Sequence, residues 1–194
     1  MINKEKRLQI QARLAEFKNL SKENQFKEFM FCLLTPQSKA KSCWEAVESL
    51  EKLSDFNENT ISSILKSKTR FHNTKTKRIL NARTSFNHIH PNLSNPNTIE
   101  LRNYLAHSVS GFGLKESSHF LRNIGLSNNQ IAILDRHILK NLKTLNLISD
   151  TKIKSKKHYL EIEQIFLDYA KSLKIPADEL DLFFWQKENG EIFK

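Results

Sequence analysis

The chain is poor in the residues that build tight turns or covalent scaffolds: of 194 residues, four are glycine, four proline and two cysteine. Two thiols, Cys32 and Cys43, cannot make a disulfide framework or supply the four ligands of an iron–sulfur cluster. Both lie in apolar, helical surroundings and read as buried structural thiols. No group of His, Cys and carboxylate residues has zinc spacing, so no metal site is expected. No apolar run approaches the length of a membrane span, and no signal-peptide core precedes a cleavage site. No membrane association is therefore expected, and a cytoplasmic location is. With few β-branched runs and apolar residues recurring at three and four, the periodicity predicts an all-α fold.

What the chain has is positive charge. Thirty-one Lys and Arg against 21 Asp and Glu give a net charge of +10 and a pI near 9.6, which favours a polyanionic partner such as nucleic acid. Net charge alone fits a merely soluble basic protein about as well. The distribution says more: Lys68, Arg70, Lys75, Lys77, Arg78 and Arg83 gather around Phe71-His72-Asn73, a basic patch with an aromatic in it. A solvated helix face is the ordinary meaning of a charge run, but this one brackets a loop as well as a helix.

In chain order, residues 4 to 18 make an amphipathic helix with Leu8, Ala12, Leu14, Ala15 and Phe17 on one face. A second helix opens at Ser21 with Asn24 and carries Phe26, Phe29, Met30, Leu33 and Leu34. Thr35-Pro36-Gln37-Ser38 stops it at a sharp polar corner, where Ser38 or Thr35 can cap a third helix through Trp44, Val47 and Leu50. A short helix covers 58 to 66, and a looser connection, HIHPNLSNPNT, leads to another helix from about Thr98. A helix after Asp135, a long one bearing Tyr159, Ile162 and Phe166, and a last one near Pro176 complete the chain. No internal repeat or low-complexity segment breaks it, so a single all-α domain over residues 1–194, in two helical lobes, is expected.

The organising stretch is residues 105 to 137, LAHSVSGFGLKESSHFLRNIGLSNNQIAILDRH. It reads as a helix, a turn with Gly111 and Gly113, a second helix beginning at Lys115, and Asp135 at the mouth of a third. Backbone N–H groups and the positive end of the helix dipole at such a turn attract a phosphate. A lysine there near a carboxylate becomes a candidate for chemistry as well as grip, with Lys140 or Arg122 as candidate neighbours. Asp135 also reads as the N-cap of the helix RHILKNL.

The pattern G-F-G-x-K followed by L-D-R-H, with Lys115 and Asp135 twenty positions apart, resembles the helix-hairpin-helix superfamily of DNA base-excision glycosylases. The hairpin spans about residues 98–125 and is expected at a DNA-binding cleft between the lobes. FCLLTPQS is similar to the family corner whose Gln or Asn fills the gap left by a flipped base, and TRFHNTKTKRI to its wedge-bearing loop. DLFFWQKENGEIFK resembles the C-terminal segment of the second type of 8-oxoguanine DNA glycosylase, a compact archaeal and bacterial form. The similar segments run from about residue 30 to Lys194. One departure is Ser110, which stands where many relatives carry proline or lysine and should loosen the turn.

The resemblance implies base-excision repair by a bifunctional N-glycosylase and AP lyase acting on duplex DNA that contains 8-oxoguanine, with a monomer expected at the nucleoid. A eukaryotic nucleus would suit the chemistry equally. Lys115 attacks the anomeric carbon and forms a Schiff base, and Asp135 stabilises the charge developing on the sugar. Gln37 fills the vacancy and Phe71 or His72 wedges the stack, with Arg70, Lys75, Lys77, Gly111, Gly113 and His137 holding DNA. Phe184 and Trp185 stack the flipped purine, and Lys194 completes the base pocket with its ammonium and a carboxylate. His119 is expected to pack rather than ligate. No cofactor is required, although hairpin carbonyls around Gly111 and Gly113 can hold a monovalent ion. Two alternatives stay open: a helix-hairpin-helix glycosylase for another damaged base, and a non-catalytic DNA-binding module.

Overall fold

In the computed structural model, residues 3–194 are described, and helices joined by turns and short extended segments make up the described chain. The first helix, α1 (Lys4–Lys18), starts where the Asn3 side chain accepts the Lys6 N–H at 2.8 Å. Its buried stripe is Ile10 and Phe17, two turns apart, whereas Leu8 lies outside. The expected inner face is therefore rotated, because α1 packs against the last helix and not along the main core.

Ser21 caps α2 (Lys22–Leu34), and from Phe26 onward α2 is mostly buried, the spine of the first lobe. Around it stand α3 (Ala40–Glu51), α4 (Glu58–Lys68), α5 (His72–Leu80), α6 (Ala82–Ile89), a 3-10 turn (His90–Ser94), α7 (Thr98–Ser108) and α8 (Leu114–Asn123). Phe29 sits at the centre, its ring 5.2 to 5.6 Å from those of Phe86, Phe112 and Phe120. Aromatic pairs in such tilted and edge-on arrangements add to the apolar burial.

The second lobe is built from α9 (Arg136–Thr144), α10 (Lys156–Ser172) and α11 (Ala177–Asn189), packed through Leu139, Leu142, Ile162, Phe166, Leu180 and Phe184. A buried ion pair crosses between the lobes: Arg102 of α7 meets Glu163 of α10 at 2.5 Å, with side chains 1 % and 6 % exposed. Glu163 also accepts the Ala132 N–H at 2.8 Å, and the Tyr159 hydroxyl donates to the Ala132 carbonyl at 2.7 Å. Burial drives the Tyr159 phenol upward, so it stays a donor. These contacts fix the extended segment that delivers Asp135. The chain between the lobes is held by polar bonds because it has no helical ladder of its own.

Candidate active site

Gly111 takes φ +99, a left-handed backbone open to glycine, and lets α7 fold back onto α8. Gly113 is the N-cap of α8 but has no side chain with which to cap. Glu116 reaches back instead, its Oε2 accepting the Gly113 N–H at 3.2 Å. The other oxygen, Oε1, lies 2.9 Å from Lys115 Nζ. Among the described residues, Glu116 is the carboxylate within ion-pairing distance of Lys115. The two suggested cationic neighbours are engaged elsewhere: Lys140 pairs with Glu188 at 2.6 Å and Arg122 with Asp181 at 3.1 Å. Burial pushes Asp181 up to about 7 against the pull of Arg122, and the Asp135 charge adds to the rise.

Asp135 caps α9, with Oδ1 accepting the N–H groups of His137 at 2.8 Å and Ile138 at 2.9 Å. One carboxylate oxygen is thus fixed by the backbone, and the other takes neither of these N–H groups. The His137 ring turns toward Trp185 of α11, centroid to centroid 6.4 Å. From there an aromatic wall continues through Phe193, 5.9 Å from Trp185, to Phe31, which stands 5.8 Å from Trp44 and 5.4 Å from His119. His119 is a packing residue, and burial holds its imidazole well below the usual histidine range.

Phe184 is not part of that wall. It is 5 % exposed and packs on Phe166 and Phe183 within the second core. Phe184 follows Leu180 by four positions and so shares its inward face, while Trp185, one residue later, is turned about a quarter of the helix away. Lys194 is placed beside the wall, yet its ammonium is not free. Nζ pairs with Glu28 and lies 3.4 Å above the Trp44 ring, and the Phe193 carbonyl accepts from Arg13 at 2.8 Å. Glu28 is held in turn by the Asn123 amide at 2.7 Å. Burial lowers the Lys194 amine from its ordinary range, with Glu28 opposing.

The opposite side of the cleft is the corner after α2. Gln37 is exposed at φ 55 and Phe71 at φ 57, both left-handed for residues that carry a Cβ. Phe71 is 56 % exposed with Arg70 stacked 5.6 Å from its ring, so it is not core, and His72 begins α5 behind it. Between them opens a cavity of about 380 Å³ lined by Gln37, Phe71, Arg78, Gly111 and Glu116. Lys75 lines the same cavity, but its ammonium is already engaged by the corner. It lies on the inward face of α5 with Thr76 and Ile79, and its Nζ donates to the Pro36 carbonyl and to Ser38 Oγ, each at 2.8 Å. Burial lowers its amine to about 8. Ser38 accordingly does not cap α3; its hydroxyl accepts from Lys75 and from the Arg70 N–H at 2.9 Å. Lys77 remains exposed on the same helix.

Sequence reasoning passed over Glu28, Trp44, Glu116 and Phe193. Glu116 alone carried a local signal, standing three residues after the cap in the capping-box position. The others come together from distant segments.

The chain matches the family model for 8-oxoguanine DNA glycosylase over residues 10–175. It is 40 % identical to the 8-oxoguanine DNA glycosylase/AP lyase of Fusobacterium nucleatum, covering 100 % of this chain and 94 % of that one. The enzyme of the same name from Saccharolobus solfataricus is 37 % identical, with 99 % and 97 % covered. Among solved structures, the Methanocaldococcus jannaschii 8-oxoguanine glycosylase/lyase in complex with a 15mer DNA containing 8-oxoguanine superposes with a TM-score of 0.85 at 34 % identity, covering 95 % of this chain and 91 % of that one. The 8-oxoguanine DNA glycosylase of Thermotoga maritima gives 0.87 at 29 % identity, with 98 % and 93 % covered. Matched by the family model over most of its length and by these relatives nearly end to end, the chain belongs to the 8-oxoguanine DNA glycosylase family.

Proposed function

We propose that this protein removes 8-oxoguanine from double-stranded DNA and then cleaves the abasic strand, as a bifunctional glycosylase and lyase. The reading rests on two helix N-termini, one bearing Lys115 beside the glycine turn and the other bearing Asp135 as its cap. After the ion pair with Glu116 opens and Nζ loses a proton, Nζ bonds to C1′ of the flipped nucleoside. The C1′–N9 bond breaks and the base leaves with the bonding pair. Asp135, with one oxygen fixed by the backbone, stabilises the positive charge that develops on the sugar. The imine formed when the sugar ring opens acidifies the 2′ proton, and its removal expels the 3′ phosphate.

Flipping costs a few kcal/mol, which the aromatic wall and the exposed Gln37 and Phe71 are suited to offset by stacking and filling the vacancy. Arg70, Lys77, His137 and the hairpin N–H groups would hold phosphates. A monovalent ion at the hairpin would use turn carbonyls such as that of Val109, which accepts the Phe112 N–H at 3.0 Å and keeps a second lone pair. The protein is read as a monomer working at the nucleoid; among the described residues no helix is long and apolar enough to cross a membrane.

The test is borohydride trapping on duplexes carrying 8-oxoguanine opposite each normal base. A covalent adduct is expected for the wild type and none for Lys115→Gln. Undiminished nicking by Lys115→Gln, or salt-sensitive binding with no adduct, overturns the assignment.

A further inference from the structure

A second cavity of about 350 Å³ adjoins the first, between α5, α6 and the hairpin turn. Its polar lining includes Asn73, Lys77, Arg78, Asn81, Ser85 and Ser110, and no carboxylate lines it. Arg78, with its neighbour Thr74, lines both cavities and is the cation shared between them. Its side chain lies against the hairpin backbone: a Cβ on Gly111 would stand 2.6 Å from Arg78 Nε and 2.7 Å from Cδ. Gly111 is thus needed twice, for its φ of +99 and for the seat it leaves the guanidinium. Among the ion pairs of the described residues, none involves Arg78.

A half-buried, planar cation with no carboxylate partner, lying against the hairpin backbone and sharing its cavity with Lys77, is suited to bind an anion. A guanidinium fork binds the paired oxygens of a phosphate in a fixed orientation, and Asn73, Asn81, Ser85 and Ser110 supply further donors. We infer that this groove seats a phosphodiester of the bound DNA, clamped by Arg78 against the hairpin turn. The inference rests on the DNA-cleaving reading of the neighbouring cleft. Because the same guanidinium touches the turn that carries Lys115, the clamp fixes the strand relative to the amine. Arg78 is a positioning residue; it does not touch the reacting atoms.

The experiment measures binding to an 8-oxoguanine duplex and to the same duplex undamaged, by fluorescence anisotropy across a potassium chloride series. Wild type, Arg78→Ala, Arg78→Lys, Gly111→Ala and the double variant Arg78→Ala/Gly111→Ala are compared, with melting curves to verify folding. Loss of one phosphate contact lowers the slope of log K against log salt by about 0.9, and the affinity loss is the same on both duplexes. About a tenfold loss is expected for Arg78→Ala and a partial one for Arg78→Lys. Gly111→Ala should reproduce Arg78→Ala, and the double variant should be no worse than either, since both remove one contact. A folded Arg78→Ala with unchanged slope overturns the inference, as does a loss confined to the damaged duplex or full additivity in the double variant. Wild type that binds neither duplex in a salt-dependent way would instead sink the reading of the cleft itself. Inorganic phosphate that displaces duplex from Arg78→Ala as readily as from wild type also counts against the clamp.

Discussion

Replacing Glu28 by glutamine removes the partner of a lysine that has almost no water around it: Glu28 is 2 % exposed and Lys194 4 %. The carboxylate also serves the Asn123 amide at 2.7 Å. Breaking one side of a buried pair costs about 3–5 kcal/mol. A separate ceiling comes from the lysine itself, which can shed its proton once unpaired. Moving from an ordinary value of about 10.4 to pH 7, at roughly 1.36 kcal/mol per unit, costs ~4.6 kcal/mol. The faces of Trp44 and Phe31 recover part of this, about 0.5–2 kcal/mol. A net loss of about 3–4 kcal/mol is expected, and at ~2–4 °C per kcal/mol for a chain of this size the melting point falls by roughly 6–16 °C.

The sign with pH follows from the lysine. Burial already holds the Lys194 amine below its usual range, so the unfolded chain binds the extra proton and stability rises with pH over that window. Without Glu28 the effect grows, and the gap to wild type should narrow to roughly 2 kcal/mol at pH 9. Urea unfolding followed by tryptophan fluorescence at pH 7 and pH 9 measures both numbers, with Trp44 3.4 Å from Nζ as the reporter. Glu28→Met/Lys194→Met should recover most of the loss, because no unpaired charge remains. A loss below about 1 kcal/mol at pH 7, or a gap that does not narrow, would refute the reasoning. Freeing Lys194 also releases Phe193 from Trp185, so 8-oxoguanine excision should fall more than abasic-site cleavage.

Three further outcomes follow from single residues. Phe71→Gly relieves a left-handed residue that is 56 % exposed, so stability should stay within ~1 kcal/mol of wild type while excision drops at least about tenfold; intact excision would remove Phe71 from the wedge role. Lys75→Met strands the Pro36 carbonyl and Ser38 hydroxyl and should cost about 1–3 kcal/mol near pH 7 in urea titrations. With the Lys75 amine at about 8 when folded, below its unfolded range, wild-type stability should rise between pH 8 and about 10, and part of that slope should vanish in the variant. Gly125→Ala places a Cβ 2.7 Å from the Lys18 backbone at φ +74, and a melting curve unchanged from wild type would contradict the close packing of α1 there.

Much of the candidate site could be read locally. The glycine turn, Lys115 one residue into a helix, Asp135 as an N-cap, and the corner that exposes Gln37 each depend on a few adjacent residues. Turn chemistry and capping are short-range, so spacing alone sufficed. Helical periodicity likewise fixed the all-α class. Phe184 turns into the core while Trp185 faces the aromatic wall, because one helical position, about 100° of rotation, separates the two faces. That phase is set by what the helix packs against.

Tertiary structure alone decided which charges meet. Glu28 and Lys194 are 166 positions apart, and Arg102 and Glu163 are 61 apart. No local pattern marks such pairs, since a buried charge is tolerable only when the fold happens to deliver its partner. The aromatic wall from His137 to Trp44 draws on four helices and the final segment for the same reason. Local sequence sufficed for the helices and for the residues that stand at two of their N-termini, Lys115 and Asp135. The packing of the lobes determined what surrounds those N-termini: the Lys194 socket and the groove beside Arg78.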